Sequence, residues 1–166
     1  MNVLLYGLIA VAGLVVAGVL AIPRTTSATL EIAFDADIRE VWEVYTQPDR
    51  QTEWRSGVAA VSMGADGRSW SETLERGGLV IHFKIIEREA PYRLVLETGA
   101  DNTFTGRYVA EFREADGRTI GVFTEEATSL TLFAKVFRFL FVNQSRFIRQ
   151  YADEAKAEIS RRRTAG

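Results

Sequence analysis

The first 23 residues constrain this chain more than any other segment, because none of them is charged. The run from Val3 to Ile22 spans about 20 residues, the length at which a helix crosses the roughly 30 Å hydrocarbon core of a bilayer. Pro23 follows, and proline cannot continue a helix. We therefore predict one transmembrane helix over residues 1–23.

The flanks of this segment set its orientation and its alternative. Arg24 is the only basic residue near the predicted span, so the positive-inside rule places the rest of the chain in the cytoplasm, with an extracytoplasmic domain as the alternative. Residues 24–28 are polar and predict a short linker that holds the domain near the membrane surface. A cleaved signal peptide is the other interpretation, with Thr26-Ser27-Ala28 as the cleavage site, although only two residues precede the apolar run.

Composition excludes several classes of function. The chain has 166 residues, with 20 Lys and Arg against 22 Asp and Glu, so it lacks the basic excess expected of a nucleic-acid-binding domain. It has no cysteine and one histidine, which excludes disulfides, thiol nucleophiles and multi-histidine metal sites. We predict no metal and no cofactor.

Hydropathy patterning predicts an α+β domain over residues 29–163. Alternation over 29–34 indicates a strand, and Asp37-Ile38-Arg39-Glu40 has the form of a capping box that begins a helix. A second short helix begins at Pro48. The period then changes to two, which predicts an antiparallel meander with strands at 58–63, 69–76, 79–89, 92–98, 103–114 and 119–127.

From about Ser129 the helical period returns and continues to Arg163, with a bend predicted near Asn143. We predict one long C-terminal helix that packs on the sheet through an apolar stripe. The stripe comprises Phe133, Phe137, Leu140, Phe141, Phe147, Ile148, Tyr151, Ala155 and Ile159.

This order of elements is that of the helix-grip fold, and short motifs agree with it. The segment from Ile32 to Trp42, followed by Gln47-Pro48-Asp49 and Glu53-Trp54, resembles the opening of the START-like, Bet v 1-like superfamily in its bacterial polyketide cyclase/dehydrase and lipid transport branch. Phe104 to Tyr108 resembles a glycine-aromatic strand of that branch. The resemblance covers about residues 29–160 and rests on structural motifs, so it implies a curved sheet of about seven strands wrapped on the C-terminal helix.

The resemblance also implies a cavity between sheet and helix that holds an apolar small molecule or lipid. The alternative for each of these large inward side chains is that it packs in the hydrophobic core and lines no cavity. The predicted lining residues are Trp54, Trp70, Leu74, Phe83, Leu94, Leu96, Phe104, Tyr108, Phe112, Phe137 and Phe141.

Two residues are weak catalytic candidates within that cavity. Glu72 shares a strand face with Trp70, so an inward carboxyl would be desolvated and could transfer protons; the alternative places it in water at the cavity mouth. Tyr108 could donate a hydrogen bond to a carbonyl, with Gly106 admitting the ligand. His82 alternates out of phase with the apolar residues of its strand and is predicted to face solvent.

The back of the predicted C-terminal helix is apolar as well, and we expect it to contact something. The candidates are a membrane interface, with basic residues against anionic headgroups, a homodimer contact, or a covering loop. This face comprises Leu132, Lys135, Arg138, Phe139 and Val142.

Three functions are consistent with the sequence. The first is membrane-anchored binding of an apolar small molecule or lipid in the internal cavity. The second is a cyclase/dehydrase-type enzyme that uses Glu72 and Tyr108. The third is an interaction module with a closed core.

Overall fold

The structure, a computed structural model that describes residues 2–165, combines α-helices with one seven-stranded antiparallel sheet of order β1-β7-β6-β5-β4-β3-β2. This confirms the predicted α+β class with seven strands and a C-terminal helix. In chain order the elements are α1 (Asn2–Ala21), β1 (Thr25–Phe34), α2 (Ile38–Tyr45), a 3-10 helix (Pro48–Glu53), β2 (Val58–Met63), β3 (Ser69–Leu74), β4 (Val80–Glu89), β5 (Arg93–Ala100), β6 (Phe104–Ala115), β7 (Arg118–Ser129), α3 (Leu132–Phe141) and α4 (Gln144–Ala165).

The N-terminal apolar segment forms α1, which ends shortly before Pro23. Several of its large side chains, including Leu8, Leu14 and Leu20, are exposed. Within residues 2–165 no helix has the combination of length and hydropathy needed to cross a membrane, so the predicted transmembrane helix is not supported.

The first strand begins earlier than its apolar pattern predicts. β1 starts at Thr25, and Thr25 pairs with Thr128 at the end of β7. Their hydroxyls are 2.8 Å apart, and those of Thr29 and Thr124 are 2.9 Å apart. Residues 25–28, predicted as part of the linker, therefore belong to the sheet, because cross-strand pairing extends a strand that its own polar side chains do not mark.

The predicted start of α2 is confirmed in detail. Asp37 accepts a hydrogen bond from the Arg39 amide at 2.8 Å, and the Glu40 carboxylate accepts one from the Asp37 amide at 2.9 Å. The helix buries its apolar face against the sheet, where Tyr45 stacks on Phe123 with ring centroids 5.1 Å apart. Both rings lie in the buried core of the domain.

The predicted long C-terminal helix is two helices. Val142 has an extended backbone, and the Asn143 side chain accepts a hydrogen bond from the Arg146 amide at 3.0 Å, which begins α4 anew. α4 packs against the sheet through small residues, because Ala152 and Ala155 are fully buried and allow close approach.

With the helix broken between α3 and α4, the side of α3 that faces the domain differs from the predicted one. Lys135 and Arg138 are buried, whereas Phe137 and Phe141 are 48% and 71% exposed. The predicted packing stripe is therefore wrong over α3, as is the prediction that the two basic residues lie on an outward face.

The buried basic residues of α3 have partners at the end of α1 and the start of β1. The Lys135 ammonium donates to the Leu20 carbonyl at 3.2 Å, one of the carbonyls left without an intrahelical partner at the end of α1. Arg138 donates to the Thr26 hydroxyl at 3.1 Å. These contacts hold α3 beside the junction of α1 and β1.

Candidate functional site

The concave face of the sheet, opposite α4, brings most of the predicted lining residues together. Strand register places Tyr108 opposite Leu96 on one side and Glu125 on the other, and Phe83 opposite Trp70. The sheet residues predicted as lining all lie on this face.

Burial divides the predicted lining residues into three groups. Trp70, Leu94, Leu96 and Phe112 are buried and belong to the core. Phe137 and Phe141 lie on the outward side of α3, so they do not line the concave face. Those that remain partly accessible are Trp54, Leu74, Phe83, Phe104 and Tyr108.

Glu72 lies inside the domain, not in water at its rim. Glu72 is 2% exposed. One carboxylate oxygen accepts a hydrogen bond from Arg55 at 2.7 Å, and the other accepts one from the Trp70 indole at 3.1 Å. The strand therefore does not turn Glu72 toward solvent, because both oxygens have internal partners. A carboxylate held in this way is a structural ion pair, and its oxygens are not free to transfer protons to a ligand.

The Arg55 guanidinium links this ion pair to α4. It lies 4.7 Å from the centre of the Tyr151 ring and also donates to Gln51, whose amide donates to the Tyr151 hydroxyl at 3.0 Å. Burial raises the pKa of Tyr151, and the positive charge of Arg55 opposes that rise. The network fixes the tyrosine in its neutral form between the 3-10 helix, β3 and α4.

Two further features mark the inner surface. Tyr108 lies centrally on the concave face, and burial raises its pKa well above its ordinary value, so its hydroxyl is a neutral hydrogen-bonding group. The buried indole nitrogen of Trp54 has no hydrogen-bond partner, although its ring packs edge-on against Tyr151 at 5.4 Å.

The packing of neighbouring strands explains why position 106 is a glycine, which the sequence analysis did not predict. A Cβ at this position would lie 2.5 Å from the Glu126 carbonyl and 2.8 Å from the Thr98 hydroxyl. The glycine therefore permits close approach of neighbouring strands, which is sufficient to explain it without a ligand.

Sequence reasoning also missed Glu125. It pairs directly with Tyr108 across β6 and β7, so both side chains share the concave face. Burial raises the pKa of Glu125, while the positive charge of Arg138 and a hydrogen bond from Gln144 oppose the rise. The inward position of Glu125 could have been predicted from the sequence, because Phe123, Glu125 and Ala127 alternate along β7 and Phe123 is clearly a core residue.

The remaining candidates lie away from this face. His82 is exposed, as its alternation predicts, and its imidazole lies 3.9 Å from Asp101. Leu132 and Phe139 are exposed on α3, and Val142 is half-buried at the break. Among residues 2–165, no group of three or more His, Cys, Asp or Glu side chains could hold a metal ion.

An antiparallel sheet that grips a C-terminal helix and turns aromatic residues toward it defines a helix-grip protein, a fold compatible with ligand binding. Residues 25–147 match the family model described as polyketide cyclase / dehydrase and lipid transport. The chain belongs to this family, as its sequence motifs indicate.

Solved structures share the fold at low sequence identity. A conserved protein from Geobacillus kaustophilus superposes with a TM-score of 0.67 at 14% identity, covering 82% of this chain and 96% of that one. Norcoclaurine synthase from Thalictrum flavum, as a point mutant with a transition-state analogue, superposes with a TM-score of 0.66 at 14% identity, covering 84% and 96%. The same enzyme with dopamine and hydroxybenzaldehyde gives a TM-score of 0.64 at 14% identity, covering 82% and 87%. No curated protein matches the sequence.

Proposed function

We propose that this protein binds an apolar small molecule or lipid between the concave face of the sheet and α4. The observation that carries the proposal is the partial accessibility of Phe83, Tyr108 and Tyr151, which face the domain interior from both sides. Protein interiors pack to a density that leaves few voids, so side chains covered by a helix and a sheet are normally inaccessible. The accessible part of these inner rings is apolar surface that a ligand can cover.

The chemistry of this surface favours an apolar ligand with few polar atoms. Phe83, Tyr108 and Trp54 supply ring surface, whereas Glu72 and Arg55 satisfy each other. Binding sites of this kind are mostly apolar, with a few polar groups that fix the ligand's orientation. Tyr108 and the Trp54 indole are the groups available for that role.

The comparisons support the same class of ligand. The family description includes lipid transport. A norcoclaurine synthase structure of this fold contains dopamine and hydroxybenzaldehyde, which are both small aromatic molecules. We therefore propose that aromatic or lipid-like molecules are the class to test first.

Filling the space tests the proposal directly. The full-length protein, extracted in a mild detergent and analysed by native mass spectrometry, is expected to carry a stoichiometric apolar molecule. Tyr108→Trp adds ring volume on the concave face and should reduce occupancy about tenfold or more, because a filled site has no room for the ligand.

Tyr92→Trp is the matched control, because Tyr92 lies before β5 and is 58% exposed, so a larger ring there has room in solvent. Its occupancy should equal that of the wild type. Equal occupancy in Tyr108→Trp would place the ligand elsewhere. An empty wild-type protein whose crystal structure shows a filled interior would favour the interaction module.

We also propose that the domain lies on a membrane surface. α1 and α3 both present large exposed apolar side chains, and the hydrogen bond from Lys135 to Leu20 joins the two helices at one end of the domain. The exposed face of α3, which includes Phe133, Phe137 and Phe141, is too apolar for an ordinary solvated surface. Its continuity with the apolar α1 favours lipid as the contacting phase over a second copy of the chain.

Quenching by brominated lipids measures this contact. Phe139 is 61% exposed on α3, so a Phe139→Trp variant of the full-length protein should lose much of its added fluorescence in vesicles of dibrominated phosphatidylcholine and phosphatidylglycerol. Tyr92→Trp should not be quenched. Tyr92 lies just before β5, whereas the turn that follows β5 contacts Leu130, which lies just before α3. Tyr92 is therefore at the end of the strand away from α3. Equal quenching of the two variants would contradict the membrane contact. A dimer without quenching would assign the exposed face of α3 to a contact with a second copy of the chain.

A further inference from the structure

Arg138 is a buried cation with an unused donor. It is 8% exposed, one terminal nitrogen donates to Thr26, and its guanidinium lies 5.3 Å from the centre of the Phe104 ring. Its Nε is buried without a hydrogen-bond partner. Because an unsatisfied buried donor of a charged group is costly, this atom indicates an acceptor that comes from outside the chain.

The groups around Arg138 form a small polar cluster at the inner end of the α3–α4 break. Gln144 is buried and donates weakly to the carbonyls of Thr26 and Glu125, at 3.4 and 3.5 Å. The Glu125 carboxyl on β7 lies close enough to Arg138 to feel its charge, and Tyr108 on β6 is the cross-strand neighbour of Glu125. β1 contributes only Ala28 opposite Glu125, so no second cation faces the cluster from that strand.

An open groove lies beside this cluster and shares Gln144 with it. It has a volume of about 380 Å³ and runs between β1 and the end of α3. Ala28 and Gln144, which adjoin Glu125, are among its lining residues, as are Phe139, Leu140 and Phe141 of α3. A molecule in this groove would therefore lie next to the cluster, with apolar residues of α3 on its other side.

We propose that the cluster of Arg138, Gln144, Glu125 and Tyr108 binds the carboxylate head group of an amphiphile whose apolar tail lies against the concave face. This assignment rests on the proposed function, and it specifies the ligand as a single-chain carboxylic acid. The free Nε and an adjacent terminal nitrogen of a guanidinium match the two oxygens of a carboxylate.

Charge selects a monoanion over a more highly charged head group. Arg138 is the one cation that the cluster presents, and it balances a single negative charge. Glu125 adds a second negative charge when ionised, which opposes any anion beside it. Since burial raises the pKa of Glu125, its neutral form persists to higher pH than for an ordinary glutamate and then leaves Arg138 free for the ligand.

Competition between an acid and its ester tests the head-group assignment. The full-length protein in an amphipathic polymer is titrated with cis-parinaric acid or its methyl ester, and energy transfer from tryptophan reports the bound probe. The wild type should bind the acid more tightly. Arg138→Met should weaken acid binding on the order of 30-fold while leaving ester binding unchanged, because only the acid pairs with the guanidinium.

Two further variants separate this role from a structural one. Lys135→Met removes the other buried cation of α3 and should leave acid binding unchanged. Glu125→Gln should tighten acid binding, and by more at high pH than at low pH, because a larger fraction of Glu125 is ionised at high pH; ester binding should not change.

The outcomes distinguish this inference from the proposed function. Equal affinity of acid and ester in the wild type, or equal loss of both in Arg138→Met, would overturn the head-group site while leaving apolar binding intact. Binding of neither probe would contradict the proposed function itself. A similar loss in Arg138→Met and Lys135→Met would show that α3 responds to any lost cation, which would also overturn the site.

Discussion

Replacing Glu72 with leucine is expected to lower the free energy of unfolding by about 3 kcal/mol. The substitution leaves the Arg55 guanidinium partly buried without its counterion and the Trp70 indole without its acceptor. The loss of one partner costs more than the pair contributes, because the remaining charge stays desolvated. Urea unfolding of the full-length protein in mild detergent, followed by tryptophan fluorescence, measures the change.

A double substitution tests this cause. Arg55→Met with Glu72→Leu removes both charges and should recover most of the lost stability. Glu31→Gln is the surface control, because its ion pair with Arg113 is exposed and should change the free energy of unfolding by less than about 1 kcal/mol. A double variant no more stable than Glu72→Leu alone would show that the stranded cation is not the source of the cost.

Replacing Phe123 with alanine is expected to cost about 4 kcal/mol of unfolding free energy. Phe123 is fully buried, stacks on Tyr45 and packs edge-on against Phe34 and Phe112 at centroid distances of 6.1 and 5.7 Å. Its removal leaves a cavity among large rings that cannot collapse without moving the sheet or α2. The same urea titration measures the effect.

The control is the same substitution at an exposed phenylalanine. Phe133 is 81% exposed on α3, so Phe133→Ala should change the free energy of unfolding by less than about 0.5 kcal/mol. Similar costs at the two positions would mean that α3 packs in solution against something that this structure does not contain.

Much of the sheet was predictable from sequence because several strands carry their own two-residue alternation. The pattern Ile81, Phe83, Ile85 identifies an inner face without knowledge of any neighbour, and the structure places it there. The capping box at Asp37 is local in the same sense. The early start of β1 was not predictable, since Thr25 is ordered by Thr128, more than a hundred residues away.

The candidate site was only partly predictable, for a related reason. Which side of α3 faces the domain depends on the Leu20 carbonyl and the Thr26 hydroxyl, and a helix apolar on several sides does not encode that choice. The burial of Glu72 depends on Arg55 in a different element. Glu125, in contrast, follows from the alternation of β7 and was missed because a glutamate was not expected on an inner face.

The pairing of the first strand with the last has a consequence during protein synthesis. β1 leaves the ribosome about a hundred residues before β7, as the separation of Thr25 and Thr128 indicates. At ordinary elongation rates this leaves the edge of β1 unpaired for roughly 5 to 20 seconds. Unpaired edges recruit other strands, so the nascent chain is exposed to aggregation for that interval. The interval ends when β7 emerges, pairs with β1 and completes the sheet.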